Sequence, residues 1–138
     1  MYGGQGFQTL PGLEITATGD RVGYLVEDAV RDYLGGGRSP FSAELDASFR
    51  EIPLGLSAAG RAQRFRADMR VDYRLTGPDG FEITGRVIEP VFYDAPTDPY
   101  AQIAARSAAE ERAAERVAEQ LVREFAVALE RAEAGLEP

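Results

Sequence analysis

Between Arg64 and Leu75, charged and apolar residues alternate without a slip. Arg64, Arg66, Asp68, Arg70, Asp72 and Arg74 take the even positions, and Phe65, Ala67, Met69, Val71, Tyr73 and Leu75 the odd ones. Side chains on a strand alternate between faces, so this period predicts a strand with one apolar face and one ionic face. The same period at Leu13, Ile15 and Ala17, and again at Ala43, Leu45, Ala47 and Phe49, predicts two earlier strands. Gly77-Pro78-Asp79-Gly80 is a turn signal, and Phe81, Ile83 and Val87 continue as a fourth strand. Strands three and four therefore read as a hairpin, which Pro90 ends or bulges. Residues Glu51 to Gly60 read as a loop with three large apolar side chains, Ile52, Leu54 and Leu56.

The period lengthens in two places. Val22, Leu25, Val26, Ala29, Val30, Tyr33 and Leu34 recur at helical spacing, with Asp20 suited to the N-cap and Gly35-Gly36-Gly37 to the end. Asp98-Pro99 supplies a cap followed by proline at the first helical position, opening a helix that runs to about Glu133. Its predicted buried stripe is Ala114, Val117, Ala118, Leu121, Phe125, Ala128 and Leu129. At 1.5 Å per residue it spans roughly 50 Å. That exceeds what the sheet needs, so the turns beyond Leu129 should touch little of it. The order is β-α-β-β-β-α. Each strand has one apolar face, so the expected architecture is an α+β, two-layer α/β sandwich: a four-stranded sheet with two helices on one face. Residues 1–12, rich in glycine, read as a flexible lead-in, and 13–138 as a single domain.

Composition narrows the chemistry. The chain has no cysteine and no histidine, which removes disulfides, thiolate sites, the commonest metal ligand and every histidine-containing triad. All 15 cations are arginine, so there is no P-loop lysine and no Schiff-base lysine. A net charge of -8 speaks against general nucleic-acid binding. No apolar run reaches the length of a membrane span. Met1 followed by Tyr2-Gly3-Gly4 reads as a trimmed start, which leaves room for a targeting segment upstream.

Two features are candidates for function. The first is the ionic strand face, with Arg64, Arg66, Arg70 and Arg74, to which Arg86 on the paired strand adds. Either Asp68 and Asp72 neutralise it as a solvated face, or its guanidinium forks bind anions such as phosphates. The second is the Ile52–Leu56 loop, which either folds back on its own sheet or projects as an apolar tip. A projecting tip beside cations, with Arg61 at its base, would suit an amphiphile with an anionic head and acyl chains. An enzyme is the weaker reading. Glu82, Glu89, Asp94 and Asp98 have no spacing that singles out an acid–base pair, and Gly35–Gly37 follows a helix instead of opening one. No catalytic residue, metal site or cofactor is expected.

From Val91 the chain reads Val-Phe-Tyr-Asp-Ala-Pro-Thr-Asp-Pro-Tyr-Ala-Gln-Ile-Ala-Ala-Arg, and later Ala118-Glu119-Gln120-Leu121-Val122-Arg123. This resembles the C-terminal part of the LptE (RlpB) family of lipopolysaccharide (LPS)-assembly lipoproteins, in its alphaproteobacterial form. Tyr2-Gly3-Gly4 is similar to the segment just after the lipid-bearing cysteine, and the β-α-β-β-β-α order fits from Leu13 onward. The resemblance implies an outer-membrane lipoprotein on the periplasmic face, LPS as ligand, and the β-barrel LptD as the partner it plugs, without catalysis. The lipid-bearing cysteine is missing from this sequence. The family's basic LPS contacts fall near Ala58-Ala59 and near Gln102, with Arg106 a turn later, so they do not carry over. The expected LPS contacts therefore rest on chemistry: Arg61, Arg64, Arg66, Arg70, Arg74, Arg86, Ile52, Leu54 and Leu56. The alternative is another periplasmic envelope lipoprotein, such as an auxiliary subunit of a lipid transporter.

Overall fold

The computed structural model describes residues 10–56, 62–133 and 135. Four strands, β1 (Glu14–Thr18), β2 (Ser42–Leu56), β3 (Ala62–Thr76) and β4 (Glu82–Pro96), lie in sequence order across one sheet. β1 pairs parallel to β2, and the other two pairings are antiparallel. Helices α1 (Asp20–Arg31) and α2 (Pro99–Glu133) cover one face, as the alternation demands. α1 packs on β1 and β2, α2 on β4 and β3, and the helices touch each other.

The core forms between the layers. Ala67, Met69, Val71, Tyr73 and Leu75 on β3 are buried beneath the helices, and Phe65 is half-buried at the strand's start. All seven stripe residues of α2 are buried. Phe125 is the largest side chain completely enclosed, and its ring meets Tyr73 edge to face at 5.1 Å. Truncating such a ring to alanine costs about 3–5 kcal/mol.

Asp98 caps α2 as its sequence suggests: its Oδ2 accepts the Ala101 N–H at 3.0 Å, and its carbonyl accepts that of Gln102 at 2.9 Å. The cap of α1 falls one residue earlier than expected. Gly19 holds that position in the left-handed region at φ 117°, with no side-chain cap bond. Glycine is required there twice over, because a Cβ would lie 2.1 Å from the Ala47 carbonyl oxygen. α1 ends at Arg31, so Tyr33 and Leu34 belong to the turn that follows, and Leu34 forms a β-bridge to Leu10. Leu10, which the sequence places in the lead-in, is buried in the core. Residues 1–9 of that lead-in lie outside the described residues.

Two expectations about strand length are corrected. Ile52–Leu56 is not a loop but the last part of β2, where a bulge between Pro53 and Gly55 breaks the alternation. Pro90 neither ends nor bulges β4, whose register with β3 runs unbroken from Glu82 to Pro96. β4 is an edge strand, and proline is tolerated where its missing N–H faces away from the ladder. The end of α2 behaves as expected: Leu129 is its last buried residue. Its first turns are also free of the core, with Tyr100 and Ile103 exposed. No helix among the described residues is long and apolar enough to cross a membrane.

Candidate functional site

The face of the sheet turned away from the helices has no covering layer among the described residues. It carries the even-numbered side chains of β3 and β4 and those of β2 up to the bulge. Cross-strand register sets the neighbours: Arg50, Asp68 and Pro90 share one row, Ile52, Arg66 and Phe92 the next.

The arginines of β3 stand in ion pairs. Arg64 reaches Asp94 at 3.3 Å, Arg66 reaches Asp68 at 3.1 Å and Arg70 reaches Asp72 at 3.1 Å. Arg74 pairs with Glu44 at 3.1 Å and lies 3.8 Å from Glu82, and Arg86 meets Asp72 at 2.7 Å. The hydrogen bond from Arg86, with further help from Arg70, holds the Asp72 carboxyl below its ordinary value. The neutralised face anticipated as one reading is therefore real at the level of single residues, and β4 and β2 supply three of its counter-ions, Asp94, Glu82 and Glu44, against Asp68 and Asp72 from β3.

Neutralisation is uneven along the strands. Toward the end of β2 and the start of β3, Arg50, Arg64, Arg66 and Arg70 outnumber Asp68 and Asp94. Toward the other end, Glu44, Asp46, Asp72 and Glu82 outnumber Arg74 and Arg86. There the sheet curls into a shallow, open hollow of about 690 Å³ lined by Thr16, Thr18, Glu44, Asp46, Arg74 and Thr84 among others. The cationic end also bears the apolar side chains: Ile52 half-buried, Ile88 exposed, and Phe92 56% exposed. The face is thus amphiphilic at one end and polar at the other.

The structure brings Arg64, Arg66, Arg70 and Ile52 together on this amphiphilic end and separates Arg74 and Arg86 toward the acidic end. Leu54 is the bulge residue, and Leu56 lies in register with Gln63 at the tip of the sheet, 69% exposed. Arg61 lies outside the described residues. Arg106 is engaged elsewhere: it pairs with Glu51 at 2.6 Å and with the buried Glu110 at 3.2 Å, and stacks over Phe49. Sequence reasoning missed Arg50, Ile88 and Phe92. Arg50 shares the even phase of β2 but, among the described residues, has no carboxylate partner. Ile88 and Phe92 were legible in the same alternation once β4 is carried through Pro90. No cluster of metal-binding residues occurs among the described residues.

The sheet face thus combines arginine forks with exposed aliphatic and aromatic groups, on an α+β domain whose described residues hold no cluster of metal-binding side chains. Comparison with known proteins is more specific. The chain belongs to the LptE family, described as lipopolysaccharide-assembly, whose family model matches residues 10–125. It is therefore an LPS-assembly lipoprotein of the cell envelope, and the family is non-catalytic. A proposed lipoprotein from Caulobacter crescentus CB15 is 31% identical, with a TM-score of 0.68 over 92% of this chain and 93% of its own. Rare lipoprotein B from Shewanella oneidensis shares the fold at 12% identity, with a TM-score of 0.59 over 87% of this chain and 98% of its own. A minor lipoprotein from Acinetobacter baumannii does so at 12% identity and a TM-score of 0.50, covering 87% of this chain and 95% of its own. Comparison with curated protein sequences gives no match.

Proposed function

We propose that this protein binds LPS on the uncovered sheet face and acts at the periplasmic side of the outer membrane, seated as a plug in the LptD β-barrel. LPS sets phosphates beside acyl chains. The observation that supports this ligand is that Arg66 shares its row with Ile52 and Phe92 and Arg70 shares its row with Ile88, while Arg50 and Arg64 stand in the rows next to these. Guanidinium forks take phosphate oxygens, and the apolar groups cover the first carbons of the chains. Most of these arginines already hold a carboxylate, so phosphate has to exchange with an internal partner. Binding should accordingly be moderate and fall with salt.

The test is titration of the isolated domain with LPS at low and high salt, for the wild type and two variants. Replacing Arg64, Arg66 and Arg70 with serine should weaken binding and flatten its salt dependence. Replacing Ile88 and Phe92 with serine should weaken it with the salt slope retained. Unchanged affinity in both variants would move LPS off this face. Seating in the barrel is tested by co-purification of the full lipoprotein with LptD, and loss of the barrel from the purified material under native extraction would refute it.

A further inference from the structure

We propose that the outer edge of β4 between Glu82 and Ile88 is a docking site for an extended, acidic peptide strand. Pro90 lies in an unbroken antiparallel register and has no N–H to give, so its backbone must face away from β3. Backbone direction alternates with residue parity, so Glu82, Thr84, Arg86 and Ile88 also turn their N–H and C=O groups outward. Arg112 confirms the phase from the other side: its Nη2 donates to the Phe92 carbonyl at 3.4 Å, across the edge from α2.

The two ends of this edge differ. Past Ile88, proline and Arg112 obstruct it, in the manner by which sheets keep strangers from pairing. Before Pro90, no other side chain among the described residues bonds the edge. Here Gly85 has no side chain, and the Tyr73 ring lies against it. Beside that ring lies a groove of about 440 Å³ lined by Tyr73 of β3 and by Gln120, Arg123, Glu124 and Val127 of α2. A second hollow of about 190 Å³ follows it, lined by Phe81, Ile83, Val127 and Arg131 among others. Val127 is exposed between them.

Charge selects the occupant. Arg112, Arg116, Arg123 and Arg131 are exposed on α2 and make no ion pair among the described residues. Arg112, Arg123 and Arg131 border the edge or its hollows, and Arg116 lies one turn on from Arg112. The carboxylate that faces the groove, Glu124, is occupied by the Tyr73 hydroxyl at 2.7 Å. A strand added here would gain backbone bonds to β4, place one apolar residue against Phe81, Ile83 and Val127, and set carboxylates beside the arginines. This edge offers backbone groups and not the side chains of the amphiphilic face, and the proposal does not depend on LPS binding.

The experiment uses the isolated domain and short capped peptides that alternate valine with aspartate or valine with arginine. Backbone amide resonances are read by NMR. The acidic peptide should shift the Thr84, Arg86 and Ile88 amides and slow their exchange with solvent. Thr84→Pro removes an outward N–H in the phase that already accepts Pro90, and should abolish these effects with the remaining spectrum preserved. N-methylation of the acidic peptide should abolish them on the wild type, which covers the case of a misfolded variant. Exchanging Arg123 and Arg131 for serine should weaken binding by about tenfold, the worth of two exposed ion pairs. Three results overturn the proposal: neither peptide protects these amides, the basic peptide binds as well as the acidic one, or N-methylation makes no difference.

Discussion

Two tyrosines on the inner face of the sheet sit in opposite circumstances. The Tyr73 hydroxyl bonds Glu124 Oε1 at 2.7 Å, whereas the Tyr93 hydroxyl is buried with no hydrogen-bond partner among the described residues. Removing a made bond and removing an unmade one have different costs. Tyr73→Phe should therefore lower stability by about 1–2 kcal/mol, while Tyr93→Phe should leave it unchanged or raise it slightly; denaturant melts of both decide. Burial, and then the bond to Glu124, raise the Tyr73 phenol above its ordinary value of 10.0. A raised folded-state value means that the stabilisation is whole below that ordinary value and is lost as pH climbs toward the folded one. The margin of wild type over Tyr73→Phe should thus be constant from about pH 8 to about pH 10 and shrink above it. Asp72 runs the other way. Its depressed value adds stability above its ordinary 3.8 and loses it as pH falls below, so Asp72→Asn should flatten the acid limb of a stability profile. The carboxylate is partly exposed, so this effect should be small.

At the scale of elements, β4 is the most demanding strand, because Gly85 must let the Tyr73 ring pass. A Cβ at Gly85 would sit 2.5 Å from Cζ and from the hydroxyl oxygen Oη of Tyr73. Gly85→Ala should displace the ring from Glu124 and cost about 1–3 kcal/mol, seen as a lower melting temperature and a loss of the alkaline signature of Tyr73. Asp98→Ala, which removes the side-chain bond to the Ala101 N–H, should cost about 1 kcal/mol. What the sequence showed of these elements follows from what each period contains. Strands with strict alternation, and the long stripe of α2, were legible because burial on one face is what makes the period. Strand ends were not. Leu54 is the extra residue of a bulge, so Ile52 to Leu56 loses the two-residue rhythm although it stays paired. Pro90 looks like a stop because the rule against proline holds for inner strands, and the alternation alone does not say that β4 lies at the edge. Gly19 took the cap from Asp20 because the Ala47 carbonyl comes so close, a contact between elements that local propensity does not contain.

Across the whole molecule, ion pairs tie the layers together and also give the uncovered face its direction. A chain of carboxylates and guanidiniums runs from Glu51 on β2 through Arg106 and Glu110 on α2 to Arg21 on α1, with Glu110 buried at its centre. It fixes the tip of β2 against both helices, and so holds Ile52 and Arg50 where the amphiphilic end needs them. The arginine stripe was plain in the sequence, but its counter-ions were only half visible, since Asp94, Glu44 and Glu82 join it through cross-strand register. That register changes the expectation for ligand binding. Taken as a uniform stripe, Arg64 to Arg86 would contribute alike. In the folded sheet, an anionic lipid bound as proposed would meet a surplus of cations and apolar cover at the end with Arg66 and Arg70, and a surplus of carboxylates at the end with Arg74 and Glu44. Removing cations where carboxylates already dominate takes little from a ligand that does not rest there. The double variant Arg66→Ser, Arg70→Ser should therefore weaken LPS binding by about tenfold or more, and the double variant Arg74→Ser, Arg86→Ser by less than about threefold. Both remove two arginines, so net charge and the long-range electrostatic term change equally, and the difference isolates position. Titration of the two variants side by side at one ionic strength reads it directly. Equal losses would mean that LPS responds to the overall charge of the domain and not to the direction of its face.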